Sequence, residues 1–269
     1  MISIICPCYN SEKHLHVLLE CLYNQINVNI KYEIIFIDDG SNDMSLDILK
    51  ENKEKFLQKG INYIVLSQQH KGPGAARNYG IKKAKYNYIS FIDADDIWYP
   101  NKLSICALSI IEKNHLYNVF THDEIYKRQF AKDKIISNGD VKGNISESLY
   151  KKNYFSTSAM IINKKLIEDA GYFDEKLMSS QDYDLWLKMS KKMKVFKIKK
   201  VLGEYIENPL GITSKNYSKR VKDQITIAIK YRHYVKYHFF IYKIIKILIS
   251  KQWLHGFINA LLKRRKHNY

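Results

Sequence analysis

Acidic side chains are missing from one end of this chain. Asp and Glu stop at Asp223, whereas residues 224–269 carry ten Lys and Arg. Residues 1–130 balance 15 basic against 15 acidic side chains and residues 131–223 hold 19 against 12, so the formal +17 builds toward the C-terminus. A protein that coats nucleic acid would spread its basic residues over one whole face, and the uneven distribution speaks against that class. Cysteine is scarce: Cys6, Cys8, Cys21 and Cys106 lack C-x-x-C spacing, which favours buried free thiols in a reducing compartment over a metal site. Long apolar runs are absent too. Phe239–Ile249 is interrupted by Lys243 and Lys246, so nothing approaches the roughly 20 residues of a spanning helix. No basic n-region precedes an apolar h-region at the N-terminus, which gives the expectation of a chain that is not secreted. Three glycine signatures are missing as well: G-x-G-x-x-G, G-x-x-x-x-G-K-[ST] and G-x-S-x-G. Their absence weakens NAD or FAD, NTPase and hydrolase readings.

What is present is a chain of 269 residues, 46% hydrophobic, enough for one large globular domain or two small ones. Over its first hundred residues, short apolar runs alternate with segments of helical period, the pattern of a parallel sheet flanked by helices. Strands are expected at Ile2–Cys6, Glu33–Ile37, Tyr63–Leu66 and Tyr88–Ile92. Helices are expected from a Ser11 cap through Leu15, Leu18, Leu19 and Leu22, through Leu46, Leu49 and Phe56, and from Gly72-Pro73-Gly74 to Ala84. Beyond Pro100 the pattern predicts a helix near 101–113, a surface connection over 127–148, a strand at Thr157–Ile162, and helices at Lys164–Ala170 and Asp182–Lys192. In an open parallel sheet the ligand crevice lies at the carboxyl ends of the strands. Here those ends read Pro7-Cys8-Tyr9-Asn10, Asp38-Asp39-Gly40-Ser41 and Asp93-Ala94-Asp95-Asp96. Converging carboxylates repel one another unless a cation or ligand donors lie between them. Asp93 and Asp95, two apart in an extended segment, would leave the same side of the backbone and suit a hard, oxygen-liganded cation.

These segments carry a resemblance. Ile4-Ile5-Cys6-Pro7-Cys8-Tyr9-Asn10, Phe36-Ile37-Asp38-Asp39-Gly40-Ser41, Gly72-Pro73-Gly74-Ala75-Ala76-Arg77-Asn78, Phe91-Ile92-Asp93-Ala94-Asp95-Asp96, Ala170-Gly171-Tyr172-Phe173-Asp174 and Gln181-Asp182-Tyr183-Asp184-Leu185-Trp186-Leu187 resemble, in order and spacing, the family 2 glycosyltransferases of GT-A fold. The resemblance implies an α/β GT-A fold, a Rossmann-like, mostly parallel sheet flanked by helices. It places Pro7, Tyr9 and Asp39 at the nucleoside, Arg77 beside the nucleotide, Asp93 near the ribose, Asp95 on a Mn2+ or Mg2+ ion, and Asp182 as catalytic base. Where the family carries Glu-Asp, this chain has Gln181-Asp182. It further implies an inverting transfer from a nucleotide sugar, in the first instance a UDP-sugar, to a glycan or lipid-linked acceptor in cell-surface polysaccharide or lipopolysaccharide synthesis. The expected organisation is a domain over 1–222, with a nucleotide-binding half (1–100) and an acceptor-binding half (101–222), and a basic tail over 223–269.

In that tail, Arg232, Lys236, Lys243 and Lys246 fall on one helical stripe, with Tyr234, Ile241, Ile245 and Leu248 opposite. Such a helix, followed by Lys263-Arg264-Arg265-Lys266, suits the anionic inner face of a cell membrane and predicts a cytoplasmic, peripherally bound protein. It equally describes a helix docked through its apolar side with a solvated basic face. Two functional readings follow: a metal-dependent transferase that does not use nucleic acid, or an inactive relic of the same fold whose basic tail binds nucleic acid or anionic lipid.

Overall fold

The computed structural model describes residues 1–208 and 217–249. Four parallel strands open it: β1 (Ile2–Cys8), β2 (Tyr32–Asp38), β3 (Asn62–Ser67) and β4 (Tyr88–Phe91). They alternate with α1 (Glu12–Tyr23), the short α2 (Ser45–Glu51) and α3 (Lys53–Gln58), and α4 (Pro73–Lys83). β1 has apolar residues on both faces because both are covered, as expected for a central parallel strand. Ile2, Ile4, Cys6 and Cys8 share one core with Leu15, Leu18 and Leu22 of α1, whereas Ile5 packs on the other face with Ala76 and Ile81 of α4. α4 lies unusually close to the sheet: a Cβ at Gly80 would stand 2.7 Å from Ile5 Cγ2 and 2.8 Å from Ile37 Cδ1.

The second half continues the same sheet: β5 (Ile97–Trp98), α5 (Lys102–Lys113), β6 (Val119–Lys127), β7 (Lys134–Ile136), α6 (Ile145–Lys151), β8 (Met160–Asn163), α7 (Lys164–Asp169), α8 (Gln181–Met189) and β9 (Val195–Ile206). The order is β3-β2-β1-β4-β8-β6-β9-β5, with β7 on β6. β8 runs antiparallel between β4 and β6, while β6 and β9 are parallel to each other. The result is the mixed, mostly parallel α/β sheet of the GT-A fold.

Several expectations need correction here. The helix expected through Leu46, Leu49 and Phe56 is two helices joined at Asn52. The supposed surface connection over 127–148 contains β7 and the start of α6. Thr157–Ala159 is a 3-10 turn that precedes β8. Ser11 occupies the cap position of α1, but its side chain makes no capping bond. The tail, described to Ile249, is two helices, α9 (Tyr217–Lys230) and α10 (Tyr237–Ile249), with a 3-10 turn at Arg232–Tyr234 between them. The basic stripe across residues 232–246 is therefore broken, because Arg232 lies in that turn and Lys236 precedes α10. Lys243 points inward and donates to Tyr150 O and to the Tyr183 hydroxyl. Tyr231, Ile227, Ala228 and Ile247 join the core, so residues 221–247 pack on the domain. Lys263-Arg264-Arg265-Lys266 lies outside the described residues.

Candidate active site

The carboxyl ends of β1, β2 and β4 lie side by side, and the loops leaving them are laced together. Asn10, held at φ +48, receives Asn42 N–H on its side-chain oxygen and donates its own N–H to Ser41 Oγ. Asp38 braces the turn at Gly40, accepting from Ser41 N–H and the Ser67 hydroxyl. Asp39 is buried and accepts from Gln68 Nε2 at 2.6 Å, Lys71 N–H at 3.0 Å and Gly72 N–H at 2.8 Å, with His70 Nδ1 2.9 Å away. In this conformation Asp39 orders the loop that leads into α4, and a base N–H would have to join or displace these donors. His70 stacks on Tyr9 with ring centroids 4.0 Å apart. Pro7 sits near the end of β1, opposite Ile37.

On the other side of the crevice, α4 delivers Arg77. Its guanidinium donates to Asp93 Oδ1 at 2.5 Å and lies 5.6 Å from the Phe173 ring centroid. Burial opposes its charge, but Asp93 and then Asp182 outweigh burial and hold it firmly protonated. Asn78, one position on, receives Phe173 N–H and donates to Phe173 O, which fastens the segment ahead of α8 to α4. Gln181 opens α8 and donates to Leu177 O, a bond that a carboxylate could not donate. Its side chain fills the space beside Gly74. Asp182 follows, with the Thr157 hydroxyl 3.4 Å from Oδ2. Burial raises its carboxyl above the usual range, opposed by a backbone N–H and by Arg77.

Asp93–Asp96 is a turn closed by Asp96 N–H on Asp93 O, not the extended segment expected. Asp93 and Asp95 therefore owe their placement to neighbours rather than to strand alternation. Ser158 Oγ accepts Asp93 N–H at 3.1 Å and donates to Asp96 Oδ2 at 2.5 Å. Asp96 is 2% exposed, and its other oxygen accepts Ile206 N–H at 3.1 Å from the end of β9. Asn208 Nδ2 donates to Asp95 Oδ2 at 2.8 Å. Ser158, Asn208 and the anchoring role of Asp96 escaped sequence reasoning, because their partners lie 62 to 113 residues away.

Burial, and next the charge of Asp93, push the Asp95 carboxyl above its ordinary value. That is a carboxylate short of positive charge, and its oxygen donors suit Mg2+ or Mn2+. Among the described residues no set of three or more His, Cys, Asp or Glu side chains is arranged to hold a metal. A cation held at Asp95 would therefore need further oxygens from outside these side chains. Asp38 and Asp39 are satisfied locally, whereas burial and then the charge of Asp93 raise the carboxyls of Asp95 and Asp96.

These carboxylates lie at the carboxyl ends of the parallel strands, the edge at which an open α/β sheet takes its ligand. Residues 3–171 match the model of Glycosyl transferase family 2, and the chain belongs to that family, whose members invert the anomeric centre. An uncharacterized glycosyltransferase of Rickettsia bellii is 30% identical over 206 residues, which cover 76% of this chain and 28% of that protein. The chain spans 28 to 60% of the length of the first four curated relatives. Among solved structures, S. aureus TarS 1–349 in complex with UDP-GlcNAc superposes with a TM-score of 0.72 at 21% identity, over 95% of this chain and 74% of that one. The mannosyltransferase PcManGT of Pyrobaculum calidifontis, in complex with GDP-Man and Mn2+, gives 0.66 at 14% identity over 99% and 75%.

Proposed function

We propose that this chain transfers a sugar from a UDP-sugar to a hydroxyl of a glycan or lipid-linked acceptor, with inversion, in the assembly of cell-surface polysaccharide or lipopolysaccharide at the inner face of the membrane. One observation carries the reading: Arg77 binds Asp93 of the D-x-D turn while lying in the field of Asp182. A donor-side carboxylate and a candidate base thus share one cation at the mouth of the sheet. The UDP-GlcNAc complex of TarS supports the choice of nucleotide, and the Mn2+ in PcManGT supports the choice of metal.

In this reading Tyr9 and Pro7 flank the base, Asp39 keeps the 68–72 loop in place against the nucleoside, and Asp93 meets the ribose. Asp95 would hold Mn2+ or Mg2+, which offsets negative charge developing on the leaving diphosphate. Arg77 fixes Asp93 and adds positive charge near the pyrophosphate. Asp182 takes the proton of the acceptor hydroxyl as that oxygen attacks C1 from the face opposite the departing diphosphate. A single displacement inverts the centre and needs no carboxylate nucleophile. The retained contacts of Arg77, Asp93, Asp95 and Asp182 favour this reading over the inactive relic.

Calorimetric titration of UDP with and without Mn2+, on the wild type and on Asp95→Ala, tests it. Binding should strengthen with Mn2+ in the wild type alone, with unchanged melting temperature in the variant. Metal-independent binding of equal strength in both would remove Asp95 from the metal and undo the assignment.

A further inference from the structure

α10 turns its polar atoms the wrong way for a surface helix. Its inward face is Phe240, Lys243, Ile244 and Ile247, and the one charge on that face, Lys243, is spent on Tyr150 O and the Tyr183 hydroxyl. Burial, followed by the like charge of Lys246, lowers that ammonium to about 8. The outward face is apolar. Tyr237, Ile241, Tyr242, Ile245, Leu248 and Ile249 are 37 to 75% exposed. At 100° per residue they span an arc of about 140°, in which His238 is the one polar residue, and Lys246 stands just beyond its edge. An apolar face of this width on an ordinary solvated helix would cost the molecule solubility. The described part of the helix, 13 residues rising about 20 Å, falls short of a hydrocarbon core of about 30 Å, and no helix among the described residues is long and apolar enough to cross a membrane.

The stretch of chain that forms this face carries one sign of charge. Residues 224–249 include Lys230, Arg232, Lys236, Lys243 and Lys246 and no Asp or Glu. At the N-terminal end of α10 an open cleft of about 610 Å3 is lined by Lys151, His233, Lys236, His238 and Phe239. Its one acidic group, Glu147, is paired with Lys151 at 2.6 Å. Lys230 is paired with Asp174 and Asp184 and Lys243 is turned inward, but an apolar arc with the exposed Lys236 and Lys246 nearby is complementary to anionic headgroups above acyl chains.

We infer that the outward face of α10 is the surface by which this protein lies on an anionic bilayer, with Ile241, Ile245, Leu248 and Ile249 entering the acyl boundary and Lys236 and Lys246 reaching phosphates. This rests on the membrane-facing reading above and replaces its basic stripe with a different set of residues. The orientation has a functional corollary. Lys243 and Tyr183 tie α10 to the helix that begins at Gln181-Asp182, so the surface resting on lipid is hydrogen-bonded to the element that carries the candidate base.

The test is co-sedimentation of the full chain with vesicles of phosphatidylcholine alone and of phosphatidylcholine with phosphatidylglycerol. Ile245→Glu and Lys236→Glu are compared with the wild type, and melting temperature and UDP affinity serve as controls for the fold. The wild type should bind the anionic vesicles only. Each variant should lose roughly tenfold or more of that binding, since a buried isoleucine or a phosphate contact is removed, while melting and UDP affinity stay put. A wild type indifferent to anionic vesicles would sink the membrane reading itself. A wild type that binds while Ile245→Glu binds equally well would leave that reading standing and overturn the α10 assignment. Sedimentation velocity without lipid supplies the third outcome: a dimer that Ile245→Glu dissociates would make this face a self-association surface and overturn the proposal. If Ile245→Glu melts lower than the wild type, Tyr242→Ser, at a 62% exposed position, takes its place under the same criteria.

Discussion

At the scale of single residues, the candidate site is held by side chains that bond to its own residues. Asp96 and Ser158 anchor the D-x-D turn, Asn208 anchors Asp95, and Gln181 seats α8 against Gly74. As the proposed base, Asp182, whose carboxyl burial raises, must shed its proton before it can accept another. Turnover should therefore fall on the acid side as pH drops through a value above the ordinary carboxylate range. Asp182→Asn should keep UDP affinity, lose turnover by roughly 10²- to 10⁴-fold and lose that acid limb. A pH–rate profile paired with UDP titration checks both halves, and an equal loss of UDP affinity would move Asp182 to the donor side. Arg77, Asp93, Asp95 and Asp182 were legible in the sequence because their motifs are local and ordered. Ser158 and Asn208 were not: an isolated serine or asparagine carries no signal until the fold supplies its partner.

At the scale of elements, α4 is the part that cannot be moved without moving the site, since it carries Arg77 and Asn78. Gly80→Leu would drive new side-chain atoms into Ile5 and Ile37, lift the helix and cost about 1–3 kcal/mol. The expected result is a lower denaturation midpoint together with weakened UDP binding. β6 makes a different prediction through His122, a fully buried imidazole whose Nε2 has no hydrogen-bond partner. Burial, aided by the charge of Lys102, lowers its pKa to about 3, whereas an unfolded histidine titrates near 6.5. Between those values the unfolded chain binds the extra proton, so the stability this group contributes at neutral pH is lost as pH falls through that window. The slope is at most about 1.4 kcal/mol per pH unit. Urea midpoints at pH 7, 5.5 and 4.5 should fall more steeply for the wild type than for His122→Gln. The same strand explains why the second half was hard to read. β6 and β9 place His122, Glu124, Lys197 and Lys199 among their apolar residues, so neither an apolar run nor a clean alternation announced them. β1, β2 and β4 announced themselves because both of their faces are covered.

At the scale of the whole molecule, the described part of the tail is a piece of the second half of the domain. Asp223 accepts Met178 N–H and Ser179 N–H, Lys230 and Tyr231 bond Asp184, and Tyr234 donates to Leu187 O. Ending the chain at residue 222 would strip these partners from α8 and uncover the surface beneath Ile227, Tyr231 and Ile247. Each such buried apolar side chain is worth about 2–5 kcal/mol, and a typical domain has only about 5–15 kcal/mol in total. The shortened chain should show no cooperative melting transition by calorimetry. A truncated protein that melts like the full chain would restore the tail as a separable appendage.

The two thiols at the end of β1 lend themselves to measurement. Cys6 and Cys8 are at most 1% exposed with sulfurs 3.8 Å apart, and Cys106 is equally hidden. Burial raises Cys6 well above the ordinary thiol value and Cys106 to about 11. An alkylating reagent cannot reach Cys6 or Cys8 until the strand lifts away from the sheet. Mass-resolved labelling at Cys6 and Cys8 then works as a clock for the opening of β1, the strand that carries Pro7 and leads into Tyr9. Slower labelling under saturating UDP would give the energetic link between donor binding and the centre of the sheet without any added probe.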